Sequence, residues 1–196
     1  MQKIGTRIAR QPELNLFMFA FLLNLPWELV QIPLFREMPT LAHLEGVIRC
    51  ARAAAGDGLI MLLAFWLVAC VVGSRRWIAH PSAARLCGFI GIGLGITIAM
   101  EYWATAIAGR WEYADAMPKL PLLGTGLMPL LQWMLIPPLV VWLTRRQIAQ
   151  ADTHHGAQKN GSRRQVKRRP LAINTSGCGF LCLGPSFTRC SRHNRG

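Results

Sequence analysis

The sequence predicts an all-α membrane protein: a bundle of four transmembrane helices followed by a disordered, basic C-terminal tail. Apolar residues make up 52% of the 196 residues, more than most soluble domains contain. They concentrate in four runs, and about 20 helical residues are enough to cross the hydrocarbon core of a bilayer. The charge is equally uneven, because residues 145–196 hold eleven Lys or Arg and one acid, and so supply +10 of the net charge of +13.

The four apolar runs define the predicted helices. They cover residues 14–35, 53–73, 86–108 and 122–143, and none of them contains Lys or Arg. The chain is thereby divided into a four-span membrane domain, residues 1–146, and a tail, residues 147–196.

The first run also has the basic residues that precede a secretory signal peptide, namely Lys3, Arg7 and Arg10. A signal peptide ends at a cleavage site with small residues two positions apart. The first run instead continues into the polar residues Asn24 and Glu28. We therefore expect a retained transmembrane helix.

Lys and Arg in the connecting segments predict the orientation, because they accumulate on the cytoplasmic side of a membrane. With the N-terminus inside, 17 of them lie on the cytoplasmic side and 5 on the other, most of the difference coming from the tail. Trp77 and Trp142 would lie at the inner boundary, and Trp111 and Tyr113 at the outer one, as aromatic anchors do. The sequence thus predicts a multi-pass protein of the inner (plasma) membrane with both termini in the cytoplasm.

The tail lacks the apolar periodicity of the membrane domain. It is rich in Gly, Ser, Arg and Pro, a composition typical of disorder. A basic segment beside a membrane helix is attracted to anionic lipid headgroups, so membrane lipid is the expected partner and nucleic acid is not. Neither a cofactor nor a metal is expected, because the spacing of the tail residues Cys178, Cys182, Cys190 and His193 is not that of the usual zinc sites.

Two predicted helices each carry a carboxylic acid on a polar stripe. Glu28 and Glu101 both lie seven residues, or about 10 Å, from the outer end of their helix, so the first and third helices, which cross in the same direction, place them at matching depth. A charged side chain at the bilayer centre costs about 2.5–3.5 kcal/mol, and two facing carboxylates repel each other. We therefore expect at least one to be neutral, which makes an acid/base pair. The two stripes are Asn24, Glu28 and Gln31 in the first helix, and Thr97, Glu101 and Thr105 in the third.

Glu28 and Glu101 are the candidate catalytic residues of an outward-opening polar site between the helices. The inner half of the predicted bundle offers almost no polar side chains, whereas several lie on the outer side or near it. These are the candidate substrate-binding residues: Asn24, Gln31, Asp57, Trp111, Tyr113 and Gln132.

Purely structural roles are the alternative for several of these residues. Asn, Thr and Gln in membrane helices often do no more than hydrogen-bond a neighbouring helix. Asp57 follows Gly56 at the start of the second apolar run and would also suit a helix N-cap. Gly88, Gly91 and Gly95 share one face of the third helix and are predicted to let a partner helix approach closely.

Four segments of the sequence resemble a family of small bacterial polytopic membrane proteins of uncharacterised function. The resemblance extends over roughly residues 14–146 and implies a polytopic membrane protein. The segments are NLPWELVQIPLF, GDG at the start of the second apolar run, EYWATAIAGRWEY and MPKLPLLGTGLMPLLQW.

Two shorter elements resemble the membrane lycopene cyclase domains, which cyclise carotenoid ends by acid–base chemistry without a redox change. Trp111 and Tyr113 match their W-x-Y element, and Pro26-Trp27-Glu28 matches the start of their P-x-E-E/D motif. Leu29 replaces the second acid of that motif. The likeness therefore implies an acid role for Glu28 and nothing further.

These observations leave three classes of function open. In the first, Glu28 and Glu101 act as acid and base on an apolar lipid or isoprenoid, in an isomerase or cyclase reaction. In the second, the chain is a binding or assembly protein whose acids serve helix packing, with a second copy or a partner subunit on the glycine face. In the third, an oligomer conducts protons or ions. Partners under these hypotheses are an apolar small molecule, a homo-oligomer or another subunit.

Overall fold

The computed structural model describes residues 10–121 and 124–167, without side chains at 154, 155 and 158–167. The predicted tail beyond residue 167, with its cysteines and His193, lies outside the described residues. Residues up to Lys159 form one compact unit, and this unit contains the helix bundle.

Four long α-helices confirm the predicted all-α fold. They are α1 (Pro12–Val30), α2 (His43–Val72), α3 (Ala83–Tyr102) and α4 (Leu127–Lys167). Each is long and apolar enough to cross a membrane, as an integral membrane protein requires. Trp103–Ile107 form a π-helical turn that extends α3, and Arg75–Ala79 form a 3-10 helix between α2 and α3.

The first helix ends five residues before its predicted end at residue 35. A 3-10 helix, Ile32–Leu34, follows it, because Pro33 has no N–H to donate and disfavours helical geometry at the residue before it. The second helix begins ten residues before its predicted start at residue 53. Its extra turns, residues 43–52, contain Leu, Glu, Ala and two Arg, which are good helix formers, and Glu45 pairs with Arg49 at 2.9 Å along them.

The fourth helix differs most from its predicted bounds of 122–143. It begins at Leu127 after a turn in which Gly124 has a φ of 64°, and it runs to Lys167. The predicted boundary between membrane domain and tail, at residues 146 and 147, therefore falls inside a helix. Gln and Ala are frequent just beyond it, and these residues sustain a helix after the apolar pattern has ended.

Side chains from all four helices form the core. The largest fully buried ones include Phe65 of α2, Phe89 of α3 and Trp133 of α4, together with Leu16 of α1. Trp77, in the 3-10 helix, stacks on Phe65 at 5.7 Å. The core is therefore built around aromatic rings, whose large area dominates packing energy.

On α3 the glycine that allows close helix packing is Gly93, which its sequence pattern did not single out. A Cβ added there would lie 1.8 Å from a ring carbon of Trp133. A Cβ at Gly88, Gly91 or Gly95 would meet no atom within 4 Å. The predicted glycine face therefore contacts no helix of the described chain, and a role in packing against a partner stays a prediction.

Gly93→Ala should lower the free energy of unfolding by about 3 kcal/mol, because the new methyl group overlaps Trp133 and overpacking forces the core apart. Thermal unfolding in mild detergent, followed by circular dichroism, would measure the effect. Gly91→Ala is the matched control on the same helix, since its Cβ has open space. Equal stability of the two variants would contradict the packing described here.

The bundle has two distinct ends. At the N-terminal end α1 begins, α2 ends and α3 begins, and Arg10 pairs with Asp152 of α4 at 2.7 Å. At the opposite end residues 108–121 fold back onto the segment that follows α1. The Arg36 N–H donates to the Glu112 carbonyl at 3.0 Å, and the Ala114 N–H donates to the Leu34 carbonyl at 2.9 Å. These bonds fix the loop over the bundle.

Candidate functional site

The amide of Gln132 lies at the meeting point of three helices near the opposite end. Its Nε2 is 2.8 Å from Oδ1 of Asn24, 3.1 Å from Oε1 of Glu28 and 2.8 Å from Oδ2 of Asp57. Asn24 and Glu28 belong to α1, Asp57 to α2 and Gln132 to α4. The junction, meaning these four side chains, is thus a polar network within an apolar bundle.

The Gln132 amide has fewer hydrogens than there are acceptor oxygens around it. An amide NH₂ has two hydrogens, whereas three oxygens lie within hydrogen-bonding distance of it. Asn24 directs one hydrogen of its own Nδ2 away from the carboxyls, to the Ala20 carbonyl at 2.8 Å. Glu28 and Asp57 therefore compete for a limited supply of donors, and a proton bound to either one relieves that competition.

Other side chains complete the surroundings of the two junction carboxyls. Gln31 hydrogen-bonds Glu28, and Trp133 hydrogen-bonds Asp57. The thiol of Cys50 lies 3.6 Å from the backbone carbonyl of Glu28, close to the end of α1. None of these neighbours is cationic, so the carboxyls are held by neutral donors alone.

The structure corrects the alternative interpretation of Asp57 as a helix N-cap. α2 begins at His43, so Asp57 lies in its interior. The Gly56 beside it does not end the helix, because the flanking Ala and Leu residues sustain it. Asp57 therefore joins the acid of α1 rather than capping its own helix.

Glu101 of α3 is the third carboxyl of the site. The hydroxyl of Tyr113 donates a hydrogen bond to its Oε2, and the indole of Trp111 lies close to the same carboxyl. The carboxyl is also near enough to Glu28 and Asp57 to interact with both electrostatically. The two predicted catalytic acids thus lie in one site, together with a third acid.

The loop after α3 positions Tyr113 over Glu101. Phe35 and Tyr113 form an antiparallel bridge, and their rings lie 5.7 Å apart. On its other side the Tyr113 ring faces Gly126, where an added Cβ would lie 3.1 Å from the ring. The absence of a side chain at Gly126 therefore leaves room for the Tyr113 ring, a role that is visible only once the loop is folded.

The electrostatics of the site resist ionisation of Tyr113. Burial of its ring, and then the neighbouring Glu101 carboxylate, raise the pKa of the phenol above its ordinary value of 10.0. The phenol consequently stays a proton donor at neutral pH. No described Lys or Arg forms an ion pair with Glu28, Asp57 or Glu101, since the ion pairs of the described residues lie elsewhere.

Several buried polar atoms around the site have no hydrogen-bond partner. They belong to side chains next to Glu28 and around Glu101, and buried polar groups normally find partners in protein or water. Two are donors, one is an acceptor and one is a hydroxyl that can do both, so a polar group of either kind would be satisfied there. They are Nε1 of Trp27, Oε1 of Gln31, Oγ1 of Thr97 and Nε1 of Trp111.

The structure therefore brings the predicted site residues into two linked groups. The junction holds Asn24, Glu28, Asp57 and Gln132, with Gln31 bonded to Glu28, and the second group holds Glu101, Trp111 and Tyr113. Thr97 is buried beside them, whereas Thr105 donates to the backbone carbonyl of Glu101 at 2.7 Å and has the structural role that the sequence left open. Within the described residues no group of His, Cys, Asp and Glu is arranged to hold a metal ion.

Comparison with protein-family models, curated proteins and solved structures found no match to this chain. The resemblance to small bacterial membrane proteins and to lycopene cyclase domains therefore stays a prediction. The case for a function depends on the geometry of the site.

Gln132→Leu should lower the free energy of unfolding by about 2–3 kcal/mol, because it leaves Asn24 and two carboxyls without their shared donor. The midpoint of thermal unfolding in detergent would report the loss. Gln150→Leu is the matched control, since Gln150 is exposed on the same helix. A Gln132→Leu protein as stable as this control would show that the junction contributes nothing to stability.

Tyr113 should ionise only well above pH 10, because its pKa is raised. The chain has two tyrosines, so a Tyr102→Phe background makes the phenolate absorbance of Tyr113 the only tyrosine signal. Adding Glu101→Gln should move the titration to lower pH, because it removes the adjacent carboxylate. The folded state should also lose stability as pH rises past 10, where the unfolded chain releases this proton more readily. A phenolate signal near pH 10 in folded protein would contradict the buried contact.

Proposed function

We propose that the chain is a multi-pass inner-membrane protein that performs acid/base chemistry on an apolar lipid or isoprenoid. The single observation that carries the proposal is the convergence of Glu28, Asp57 and Glu101 among neutral donors, within an apolar bundle. Burying one carboxyl in such surroundings is costly, and burying three without a cation would serve packing poorly. An acid/base function accounts for this cost.

The arrangement provides the parts of a proton-transfer reaction. One carboxyl that holds a proton can deliver it to a carbon–carbon double bond, which leaves a carbocation on the substrate. A nearby carboxylate and the faces of Trp111 and Tyr113 would stabilise that cation. A carboxylate then removes a proton from a neighbouring carbon, so the double bond is moved or a ring is closed with no change of oxidation state.

Tyr113 would keep Glu101 oriented for this step. Its hydroxyl bonds the carboxyl directly, and a donated hydrogen bond stabilises the carboxylate form. Glu101 is therefore the proposed base. Glu28, which shares a limited supply of hydrogens with Asp57, is the proposed acid.

The orientation in the membrane follows from charge and supports access from outside. We propose that the N-terminal end faces the cytoplasm, as the distribution of Lys and Arg indicates. The carboxyl site then lies toward the outer leaflet, beneath the loop that carries Tyr113. An apolar substrate would reach it from the lipid.

A second candidate function is favoured by the contacts of Gln132. One amide that bonds acceptors on α1 and α2 from α4 is also what a purely structural network requires. Under this alternative the chain is a non-catalytic binding or assembly protein. The glycine face of α3, which is open in the described chain, would then receive a second copy or another subunit.

Glu101→Gln should reduce conversion of the bound substrate by about 10²- to 10⁴-fold, the usual contribution of a general acid or base, while the folded yield is kept. The test is to purify wild-type and variant proteins in mild detergent and identify the co-purifying apolar molecules by mass spectrometry. The expected result is one specific molecule in both, in a chemically different form in the variant. Glu37→Gln is the control, because Glu37 is exposed on the same end of the bundle.

The same experiment separates the two candidate functions. Only bulk phospholipid in every sample would overturn the catalytic proposal and favour the assembly protein. A loss of folded yield in Glu101→Gln, with lipid chemistry unchanged, would also favour the assembly protein.

A further inference from the structure

A cavity of about 430 Å³ lies at the N-terminal end of the bundle, far along the helices from the carboxyl site. It is formed by the residues that lead into α1, by the 3-10 helix Arg75–Ala79, and by α4. Its polar lining is mainly cationic or titratable, and its apolar lining lies on the 3-10 helix and α4. The residues that matter most are Arg10, Arg75, Arg76, His80, Ile78 and Ile148.

The charges around the cavity do not cancel. Arg10 is paired with Asp152, and Arg75 is paired with Glu13. Arg76 forms no ion pair with any described residue. The cavity therefore keeps an uncompensated guanidinium, beside two others whose remaining N–H groups can still donate.

The backbone that carries Arg76 is held firmly. Ser74 caps the 3-10 helix and accepts the backbone N–H of Arg76 at 3.2 Å. The next residue, Trp77, is buried in the core and donates its indole N–H to the Phe65 carbonyl at 3.3 Å. Ile78 is fully buried as well. The wall of the cavity is thus built in advance, which lowers the entropic cost of binding.

The position and the mixed lining of the cavity indicate what it binds. It lies where α1 and α3 begin and α2 ends, at the level of a membrane surface. Trp142 of α4, which is exposed and has Arg146 over its ring at 5.2 Å, is placed as interfacial aromatic anchors are. A ligand here would meet guanidinium groups at the water side and the partly exposed Ala79 and Ile148 at the membrane side.

We propose that this cavity binds the phosphate group of an anionic phospholipid. Guanidinium groups match phosphate oxygens in a forked geometry, and basic pockets between membrane helices are typical headgroup sites. The apolar wall suits the start of the acyl chains. Inorganic phosphate has the same anionic chemistry but would gain nothing from that wall, so the two sources can be separated by experiment.

The test titrates the full-length protein, purified in neutral detergent, with phosphatidylglycerol or phosphatidylcholine and counts bound lipid by native mass spectrometry. Wild type should hold one phosphatidylglycerol in preference to phosphatidylcholine. Arg76→Gln should bind it about five-fold more weakly, since one basic residue near the surface contributes roughly a factor of five. Arg145→Gln is the control, because it removes the same charge from an exposed position outside the cavity.

Three further measurements make the outcome decisive. Arg76→Lys should keep part of the affinity, because it retains the charge and loses the fork, and circular dichroism should show that each variant is folded. An equal amount of inorganic phosphate should leave the lipid bound. Equal binding of the two lipids, equal losses in Arg76→Gln and Arg145→Gln, or displacement by inorganic phosphate would each overturn the proposal.

Discussion

A single nitrogen atom, Nε2 of Gln132, holds together the polar groups that three apolar helices bring to one place. Inside a bilayer no water replaces a missing partner, so each of those oxygens depends on protein donors. The helices pack through large aromatic side chains such as Phe65 and Trp133. These contacts bury a large area but do little to fix the orientation of one helix against another. The amide supplies the orientation, because its bonds are directional.

The second constraint is the loop over the opposite end of the bundle. Its bridge between Phe35 and Tyr113 brings the phenol of Tyr113 to Glu101. With α3 alone, the Glu101 carboxyl would be exposed to the apolar phase. The acids thus depend on different parts of the chain: Glu28 and Asp57 on a helix, and Glu101 on a loop. That division gives the proposed acid and base separate environments, which is how neighbouring carboxyls acquire different roles.

Much of this could be predicted from the sequence. Apolar length predicted four spans, and helical spacing predicted that Glu28 and Glu101 face a common site. Helix boundaries were less predictable, because polar residues that favour helix, such as Arg, Glu and Gln, extend α2 and α4 beyond their apolar runs. Gly93 could not be distinguished from its neighbours by spacing, since only the position of Trp133 shows which glycine needs the space. Tyr113 was predicted in the site, but its bond to Glu101 depends on how the loop returns to residues 34–36.

The contacts of Gln132 also constrain the order in which the bundle is assembled. A chain emerging from the ribosome presents α1, α2 and α3 before α4 exists, since synthesis proceeds from the N-terminus. At that stage Asn24, Glu28 and Asp57 have no donor from α4, and water or membrane-insertion machinery must satisfy them. Arrival of the last helix displaces those temporary partners. The junction therefore forms only once translation has passed residue 132, and its formation shows that the last helix of the bundle has docked.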